Sequence, residues 1–535
     1  MPNQAELLIP YREISSYARP PVLVGVVTDS NPPPRWVDAL FGFLKQTPLI
    51  EARLFTIAPR DQPAISRPAW LTDRLYSASR SRFDPFGCNA PFEANSVSPV
   101  SIVDIQAAGF GVIIWIADQP NPDVVIHSLA QHGVFTIRLG EESRAIPYWD
   151  EVAENRVTST ASIFWHDTSF AQGRLVREAE TSTSQGLFVT TNSGQPLVAL
   201  MRMLTSLCME IQRDGAQFEE RVRHLSIQLR ARAEQLAYPS NFQAARFLVN
   251  KLARSAYRRY ANRGKQGRWF VAMRPNRGGC VTDRSRVDLS GFAQVPLPNG
   301  VQEMADPFLW EARGRQYLLF EEVATGQSRG RLACVEVLQD GSCAEMEIIL
   351  DRPYHLSYPC VVPSNGELFL VPESSAANRI DVYRFSRFPS ELELVSSPIV
   401  GVGLVDTTPV YINGRWYIFT TTQEPFMESL LFSATRLDGP WEFHPCNPVS
   451  TSVRNCRSAG QIFWKDGRLF RPTQDCSVQY GYAVTINELT KLTPHEFEER
   501  PVSYLPPTWT PGLLGTHTWN ESAALQVIDG MRLTQ

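Results

Sequence analysis

The sequence predicts an α/β N-terminal doubly wound domain, a helical linker and a C-terminal all-β five-bladed propeller. Three observations carry this prediction. Short apolar runs alternate with helical spacing in the first part of the chain. Apolar residues then recur at intervals of three and four between residues 196 and 237. After residue 265 one hairpin pattern returns at nearly even spacing. The boundaries that follow are 1–195, 196–264 and 265–535.

The first strand is Val22-Leu-Val-Gly-Val-Val-Thr, a continuous apolar run of the kind buried in a parallel sheet. Helical spacing follows from Trp36 to Leu44, then a strand at Ala52-Arg-Leu-Phe-Thr-Ile. After a loop rich in Pro and Ser near 80–100 come a helix at Val103–Ala107 and a strand at Gly111-Val-Ile-Ile-Trp-Ile. A helix at Val124–Gln131 and a strand at Gly133-Val-Phe-Thr-Ile-Arg complete the series. The loop Thr28-Asp-Ser-Asn-Pro-Pro-Pro has neither Gly-x-Gly-x-x-Gly nor Gly-Lys-Thr, so it carries no phosphate cradle.

The run 196–237 reads as amphipathic helices through Leu197, Leu200, Met201, Leu204, Leu207 and Ile211, and later Leu225, Ile227, Leu229 and Leu236. It packs one domain on another or forms a homodimer seam. Residues 251–268 carry Lys251, Arg254, Arg258, Arg259, Arg263, Lys265 and Arg268 with Tyr257 and Tyr260. Such a segment is either a solvated connector or a peripheral membrane contact.

The repeat is written four times, each copy turning on a glycine: Gly314, Gly366, Gly414 and Gly467, spaced by 52, 48 and 53 residues. An earlier copy, Gly267-Arg-Trp-Phe-Val-Ala, lies 47 residues upstream. Five copies predict five blades, with Leu513–Leu533 completing the blade begun near Trp269. First-strand starts place Asp306, Tyr358, Asp406 and Ser458 at one rim, with Arg457 beside the last. Second-strand ends add Glu321, Glu373, Thr421 and Gln474, with Asp475 just outside them. A mouth of convergent carboxylates is the default place to look for a site.

Composition narrows the function. The net charge of −4 and isoelectric point near 6.1 argue against a nucleic-acid partner. Nine cysteines without a Cys-x-x-Cys pair predict reduced thiols and no zinc site. No metal and no cofactor are expected. The start Met1-Pro-Asn-Gln-Ala-Glu-Leu-Leu-Ile-Pro has no leader pattern, and no run of 18 apolar residues occurs, so a cytoplasmic address is expected.

Two resemblances sharpen this. Gly133-Val-Phe-Thr-Ile-Arg-Leu-Gly-Glu-Glu followed by Pro147-Tyr-Trp-Asp-Glu-Val resembles the N-terminal domain of the formyltransferases. The chain has Arg138-Leu139-Gly140 where that family places its histidine, which implies a scaffold or nucleotide-sugar-docking role. The series Ala305-Asp-Pro-Phe-Leu-Trp-Glu, Leu319-Phe-Glu-Glu, His355-Leu-Ser-Tyr-Pro, Val371-Pro-Glu-Ser, Val405-Asp-Thr-Thr-Pro, Gly439-Pro-Trp with His444-Pro, and Arg457-Ser-Ala-Gly resembles the propeller of the glucosamine inositolphosphorylceramide transferases. It is also similar to the wider clan of five-bladed furanosidases.

In that clan an Asp on the first blade is base or nucleophile, an Asp on a later blade orients, and a Glu supplies the proton. The resemblance implies Asp306 and Asp406 for the first two roles. Glu373 is the foremost candidate for the acid, with Glu311 and Glu321 behind it. Trp310 and Tyr358 are candidates to stack on a sugar ring. Glu321, His355, Arg457, Arg471, Gln474 and His517 are further candidate contacts to a sugar or sugar-nucleotide substrate. The implied function is glycosyl transfer in glycoconjugate or surface-polysaccharide biosynthesis. A furanosidase-type glycoside hydrolase and a non-catalytic sugar-binding scaffold stay open beside it.

Overall fold

The computed structural model describes residues 20–30, 33–58, 69–75, 100–117, 129–140, 146–167, 172–184, 186, 189–225, 227–229, 237–276, 282–283, 287–423 and 427–534. The chain divides into two compact units, Met1–Tyr257 and Arg258–Gln535.

The first unit is built on one seven-stranded sheet. Its strands are β1 (Val22–Thr28), β2 (Ile50–Thr56), β3 (Val112–Trp115), β4 (Val134–Leu139), β5 (Thr158–His166), β6 (Gln172–Ser182) and β7 (Ile227–Leu229), in the order β2-β1-β3-β4-β5-β6-β7. The first four pair in parallel, as the apolar runs predict, with helices α1 (Arg35–Gln46) and α2 (Ile102–Ala107) between them. From β4 onward every pairing is antiparallel. This three-strand extension is absent from the sequence reading.

Its alternation is masked because polar side chains are buried and satisfied inside it. Thr136 meets His166 at 2.7 Å, and Ser159 meets both Thr183 at 2.9 Å and Asn192 at 2.7 Å. Helix α3 (Trp149–Ala153) falls on the Pro147–Val152 motif. The helix expected at Val124–Gln131, the loop near 80–100 and the extreme N-terminus lie mainly outside the described residues.

The helical run is real at α4 (Gly194–Asp214) and α5 (Ala216–Arg223), but Ile227–Leu229 is a strand on the sheet edge, not helix. Helix α4 packs against β1, β5, β6 and α1, so its apolar spacing is spent inside its own unit. The basic segment begins as α6 (Asn241–Ala261). Among the described residues no helix is long and apolar enough to cross a membrane.

The second unit holds five sheets. Blade A is β10 (Val301–Ala312), β11 (Arg315–Ala324), β12 (Gly330–Val337) and β13 (Glu347–Leu350). Blade B is β14 (Ser357–Ser364), β15 (Glu367–Glu373), β16 (Arg379–Arg387) and β17 (Glu391–Val400). Blade C is β18 (Leu404–Ile412), β19 (Arg415–Thr422), β20 (Ser429–Ala434) and β21 (Glu442–Phe443). Blade D is β22 (Arg457–Ser458) and β23 (Phe463–Lys465) on β24 (Arg468–Asp475), then β25 (Ala483–Leu492) and β26 (Phe497–Leu505).

Blade E joins the two ends of the unit. Strands β27 (Leu513–Gly515) and β28 (Trp519–Glu521) pair with β29 (Leu525–Thr534), which pairs with β8 (Gln266–Pro275) and then β9 (Ala293–Gln294). Gly267 therefore opens a third strand, not the second strand that its alignment with the other glycines suggests. A strand that leaves a turn after glycine looks alike in either place.

The repeated glycines close two-residue hairpin turns. Arg313-Gly314, Asn365-Gly366, Asn413-Gly414 and Asp466-Gly467 all have two successive positive φ angles, from 50° to 81°. That is the backbone whose twist matches the flanking strands. Blade faces pack through apolar clusters, for example Phe308, Leu319, Tyr358, Val371, Val382 and Leu430 between blades A, B and C.

Candidate functional site

Three inner strands share one irregularity. Pairing breaks between Ala305 and Phe308 in blade A, Ser357 and Cys360 in blade B, and Val405 and Thr408 in blade C. At these breaks Asp306, Tyr358 and Asp406 adopt φ of 50°, 49° and 49°. A left-handed conformation costs a non-glycine residue roughly 1–2 kcal/mol, and it recurs at one place in three blades. Strain of this kind gathers where function or assembly demands it.

Each strained residue is latched to a neighbouring blade. The Asp306 N–H donates to Asp529 Oδ2 (3.3 Å), the Tyr358 N–H to Asp306 Oδ2 (3.2 Å), and the Asp406 N–H to Glu373 Oε2 (3.2 Å). Thr421 continues the circuit by donating to the Cys456 carbonyl (2.9 Å), and the Trp519 N–H closes it on the Ala459 carbonyl (2.8 Å). Glu321, Glu373, Thr421, Gln474 and Asp529 hold corresponding second-strand positions. Two rings of polar side chains thus meet at one hub, as the repeat predicts.

The hub concentrates negative charge. Asp306 is 5% exposed and Asp406 1%. Burial raises the Asp306 carboxyl above its ordinary value; His517 opposes this and Asp529 adds to it. Burial likewise lifts Asp406 well up, against the pull of the Arg457 guanidinium. Arg457 bonds both Asp406 oxygens, and Gln474 Nε2 donates to Oδ2 at 3.0 Å. Burial works against the Arg457 charge, yet Asp406, Tyr480 and Glu373 hold its pKa above the usual guanidinium value.

Glu373 accepts from Ser375 Oγ (2.7 Å) on Oε1 and from the Asp406 N–H on Oε2, so both oxygens serve as acceptors. Glu321 differs. Burial first, then Asp306, Glu373, Glu303 and Asp406, drive its carboxyl well above the ordinary glutamate value. Its Oε1 lies 3.3 Å from His355 Nε2. His355 Nδ1 accepts from the Gly330 N–H (3.0 Å), which places the ring proton on Nε2, facing Glu321.

Across the hub His517 pairs through Nδ1 with Asp529 and stacks on Trp269 at 3.8 Å and 13°. Tyr480 meets its edge at 5.7 Å and covers Arg457 at 4.9 Å. Burial opposes the His517 charge, but Asp529 and Asp306 raise its pKa.

Ligating atoms of Asp306, His517 and Asp529 lie within 4.8 Å of one another and have the chemistry to hold a cation. They are already engaged, however. Asp529 accepts from the N–H groups of Asp306, His517 and Thr518 and from the His517 ring, and Thr518 donates to Asp306 Oδ1 at 2.7 Å.

Of the residues expected from sequence, Asp306, Asp406, Glu373, Glu321, Arg457, Gln474 and His517 come together, with His355 beside Glu321. Three do not join them as sugar contacts. Trp310 packs against the apolar cluster between blades. Arg471 is fully buried in blade D, bidentate to Glu499 (2.9 and 2.7 Å) and bonded to the Asn455 carbonyl.

Tyr358 is also fully buried. Its hydroxyl bonds Thr408 Oγ1 (2.8 Å) and the Gly460 carbonyl (3.0 Å) and accepts from the Gly460 N–H (2.8 Å), so it is a pillar across the hub and offers no stacking face. Tyr358→Phe is expected to lower stability by about 1–3 kcal/mol, because it orphans the buried Gly460 N–H. A chemical-denaturation curve superimposable on wild type is the contrary result. Asp529, Tyr480 and Trp269 were not foreseen as site residues. Asp529 had a signal: it is the acidic residue of the strand expected to complete the fifth blade.

With this geometry in hand the chain can be set beside known proteins. Residues 294–533 match the family model described as glucosamine inositolphosphorylceramide transferase 1, N-terminal. Glucosamine inositolphosphorylceramide transferase 1 of Oryza sativa subsp. japonica is 32% identical over 208 residues, covering 37% of this chain and 28% of that protein. The Arabidopsis thaliana protein of the same name is 29% identical over 243 residues, covering 44% of this chain and 31% of the relative.

The chain thus spans less than a third of the length of these curated relatives. Among solved structures, the family 117 glycoside hydrolase Zg3597 of Zobellia galactanivorans aligns at 12% identity with TM-score 0.33, over 49% of this chain and 90% of that one. RS223-β-xylosidase aligns at 11% with TM-score 0.32, over 42% and 91%.

Proposed function

With a five-bladed propeller of which residues 294–533 match the glucosamine inositolphosphorylceramide transferase family, we propose that the hub is the active site of an enzyme working at a glycosidic bond. The reaction is glycosyl transfer from a sugar-nucleotide or glycoside donor in glycoconjugate or surface-polysaccharide assembly. The observation that carries this reading is the gathering of Asp306, Glu321, Glu373, Asp406 and Asp529 around Arg457 and His517. Environments that push carboxyl pKa values apart create an acid and a base at one pH.

Glu321, its carboxyl raised well above the ordinary glutamate value, gives its proton to the leaving oxygen as the donor C1–O bond breaks. The acceptor hydroxyl oxygen attacks C1 and passes its proton to Asp306. Asp406, clamped by Arg457 and Gln474, orients the site. Glu373 takes the latch role in place of the acid role expected for it. Water in place of the acceptor makes the same step a hydrolysis.

Asp306→Asn is expected to cut consumption of a sugar nucleotide or aryl glycoside by about 10²-fold or more, followed by product analysis over a substrate panel. Full turnover by Asp306→Asn and by Asp406→Asn sinks the proposal. A second reading, a non-catalytic sugar-binding propeller, is favoured by one observation: Asp306 and Asp406 are nearly dry, and their oxygens accept hydrogen bonds from the protein. It predicts glycan binding without consumption.

Contact with an anionic membrane surface belongs to the same proposal. Helix α6 carries Arg246, Arg254, Arg258 and Arg259 and no acidic residue, and exposes Phe242, Val249, Tyr257 and Tyr260 at 76, 64, 72 and 82%. Lys251 is excluded from this face, being buried against Phe247 and Asn155. Arginines near such a surface contribute about 1 kcal/mol each. The protein is expected to co-sediment with phosphatidylserine vesicles and to be released by salt. Arg254→Glu with Arg258→Glu abolishes this; equal sedimentation with neutral vesicles counts against it.

A cytoplasmic address is also proposed, supported by Cys208, Cys334, Cys343, Cys360 and Cys456, which are free thiols among the described residues. A docking or scaffold role is proposed for the first unit, in which Arg138 lies over the Phe164 ring at 4.8 Å.

A further inference from the structure

Tyr411 and Trp464 are open to solvent beside the turn residues Asn413 and Asp466, at the end of the inner strands that points away from the hub. Tyr480 is placed differently. It is 42% exposed and stands in the hub itself, with the Arg457 guanidinium on its ring at 4.9 Å and the His517 ring perpendicular to it at 5.7 Å. Its hydroxyl has no hydrogen-bond partner among the described residues. Burial lifts that hydroxyl well above the ordinary tyrosine value; Arg457 opposes this, and Asp406, Asp306 and Glu373, from three different blades, add to it.

The side chain is carried on the loop between β24 and β25, and this loop is clamped to blade E on both sides of it. Gln479 Nε2 donates to the Leu514 carbonyl (2.8 Å), and the Gly481 carbonyl accepts from the Thr516 N–H (2.9 Å). Gly481 has a φ of 62°, and a β-carbon there would lie 2.9 Å from both His517 Cβ and Trp269 Cη2. Glycine alone fits so close an approach. The ring is therefore set in place before a ligand arrives, which lowers the ordering cost of binding.

A fixed aromatic ring, open beside buried acids and carrying a free hydroxyl, suits the C–H face of a sugar, with one sugar hydroxyl bonding the phenol. Tyr358 and Trp310 supply no such surface, the first being fully buried and the second packed between blades. Charge then selects the ring. Arg457 is met by Asp406 and Glu373, and His517 by Asp529, so an anionic unit would be repelled by the acids left over.

We propose that Tyr480 is the stacking platform of the hub and receives the face of an uncharged glycosyl unit, orienting it above the acids. This rests on the hub being where a glycoside binds, and adds the class of unit and the residue that positions it.

The test is saturation-transfer NMR and calorimetry on the whole chain with glucose, N-acetylglucosamine and glucuronate as probes, beside steady-state kinetics on an aryl glycoside panel. Glucose or N-acetylglucosamine is expected to bind at millimolar concentration, and glucuronate about tenfold more weakly or not at all. Tyr480→Leu, which keeps bulk over Arg457 without a flat face, is expected to weaken binding by about tenfold, and Tyr480→Phe, which keeps the face, by no more than about threefold. In turnover Tyr480→Leu raises KM more than it lowers kcat. The proposal is overturned if neither neutral sugar binds, if glucuronate binds as tightly as they do, if Tyr480→Leu binds as wild type does, or if the two variants lose equally. Binding through Tyr480 without turnover upholds it and sinks the catalytic reading. Turnover that Asp306→Asn abolishes and Tyr480→Leu leaves unchanged does the reverse.

Discussion

Glu321→Gln is expected to lower glycosyl transfer by about 10²–10⁴-fold, the range for loss of a general acid. Glutamine keeps the shape and the oxygen that faces His355 Nε2, so the loss isolates the proton itself. Burial, with the neighbouring Asp306, Glu373, Glu303 and Asp406, raises the wild-type carboxyl well above the ordinary glutamate value. Because its pKa lies above the ordinary value, the acid is present at low pH, and the rate falls as pH rises through that elevated pKa. In Glu321→Gln this falling limb disappears along with most of the rate. A variant that keeps both the rate and the limb assigns the proton to another group, and Glu373→Gln is then the substitution to compare.

Arg457→Met is expected to destabilise the propeller by about 3–5 kcal/mol, the usual cost of stranding one partner of a buried ion pair. Asp406 is 1% exposed, and Arg457 bonds both its oxygens. Gln474 remains, but a carboxamide brings no charge. The Asp406 carboxyl is already raised in the folded protein, and removing the guanidinium raises it further.

A group raised on folding contributes stability that is fully present below its unfolded pKa, about 3.9 for aspartate, and is lost as pH rises through the folded value. The deficit of Arg457→Met is therefore expected to be smallest in acid and to grow toward neutral pH. Denaturation curves at a series of pH values measure this. A deficit under about 1 kcal/mol, or one independent of pH, means that Asp406 does not depend on its partner.

The wheel is legible in the chain because its hairpins need glycine after a residue with positive φ, and that requirement repeats four times. The hub acids are legible for a related reason: they occupy fixed places relative to those turns. Arg471 and Trp310 were misplaced because a blade strand shows alternate faces, and spacing from the glycine does not say which face meets a neighbouring blade. Arg471 lies over Phe419 of blade C at 5.1 Å and is bidentate to Glu499 from the far edge of its own sheet. Asp529 escaped notice because its blade is assembled in a different strand order from the rest. In the first unit the antiparallel extension was hidden by Ser159, Ser162 and His166, which are buried yet polar and so erase the apolar alternation that reveals a strand.

Blade E takes its outer strands from residues 266–294 and its inner ones from residues 513–534. During synthesis, blades A, B and C are therefore made well before His517 and Asp529 leave the ribosome, and blade D, which ends at Leu505, shortly before them. Until residues 513–534 emerge, Asp306 lacks Asp529, which holds its backbone N–H, and Thr518, which donates to its side chain, and the early strands have no edge to join. The wheel is zipped shut by residues 513–534, so the finished site exists only once that segment has been made, and a chain cut short at Pro511 is born without it.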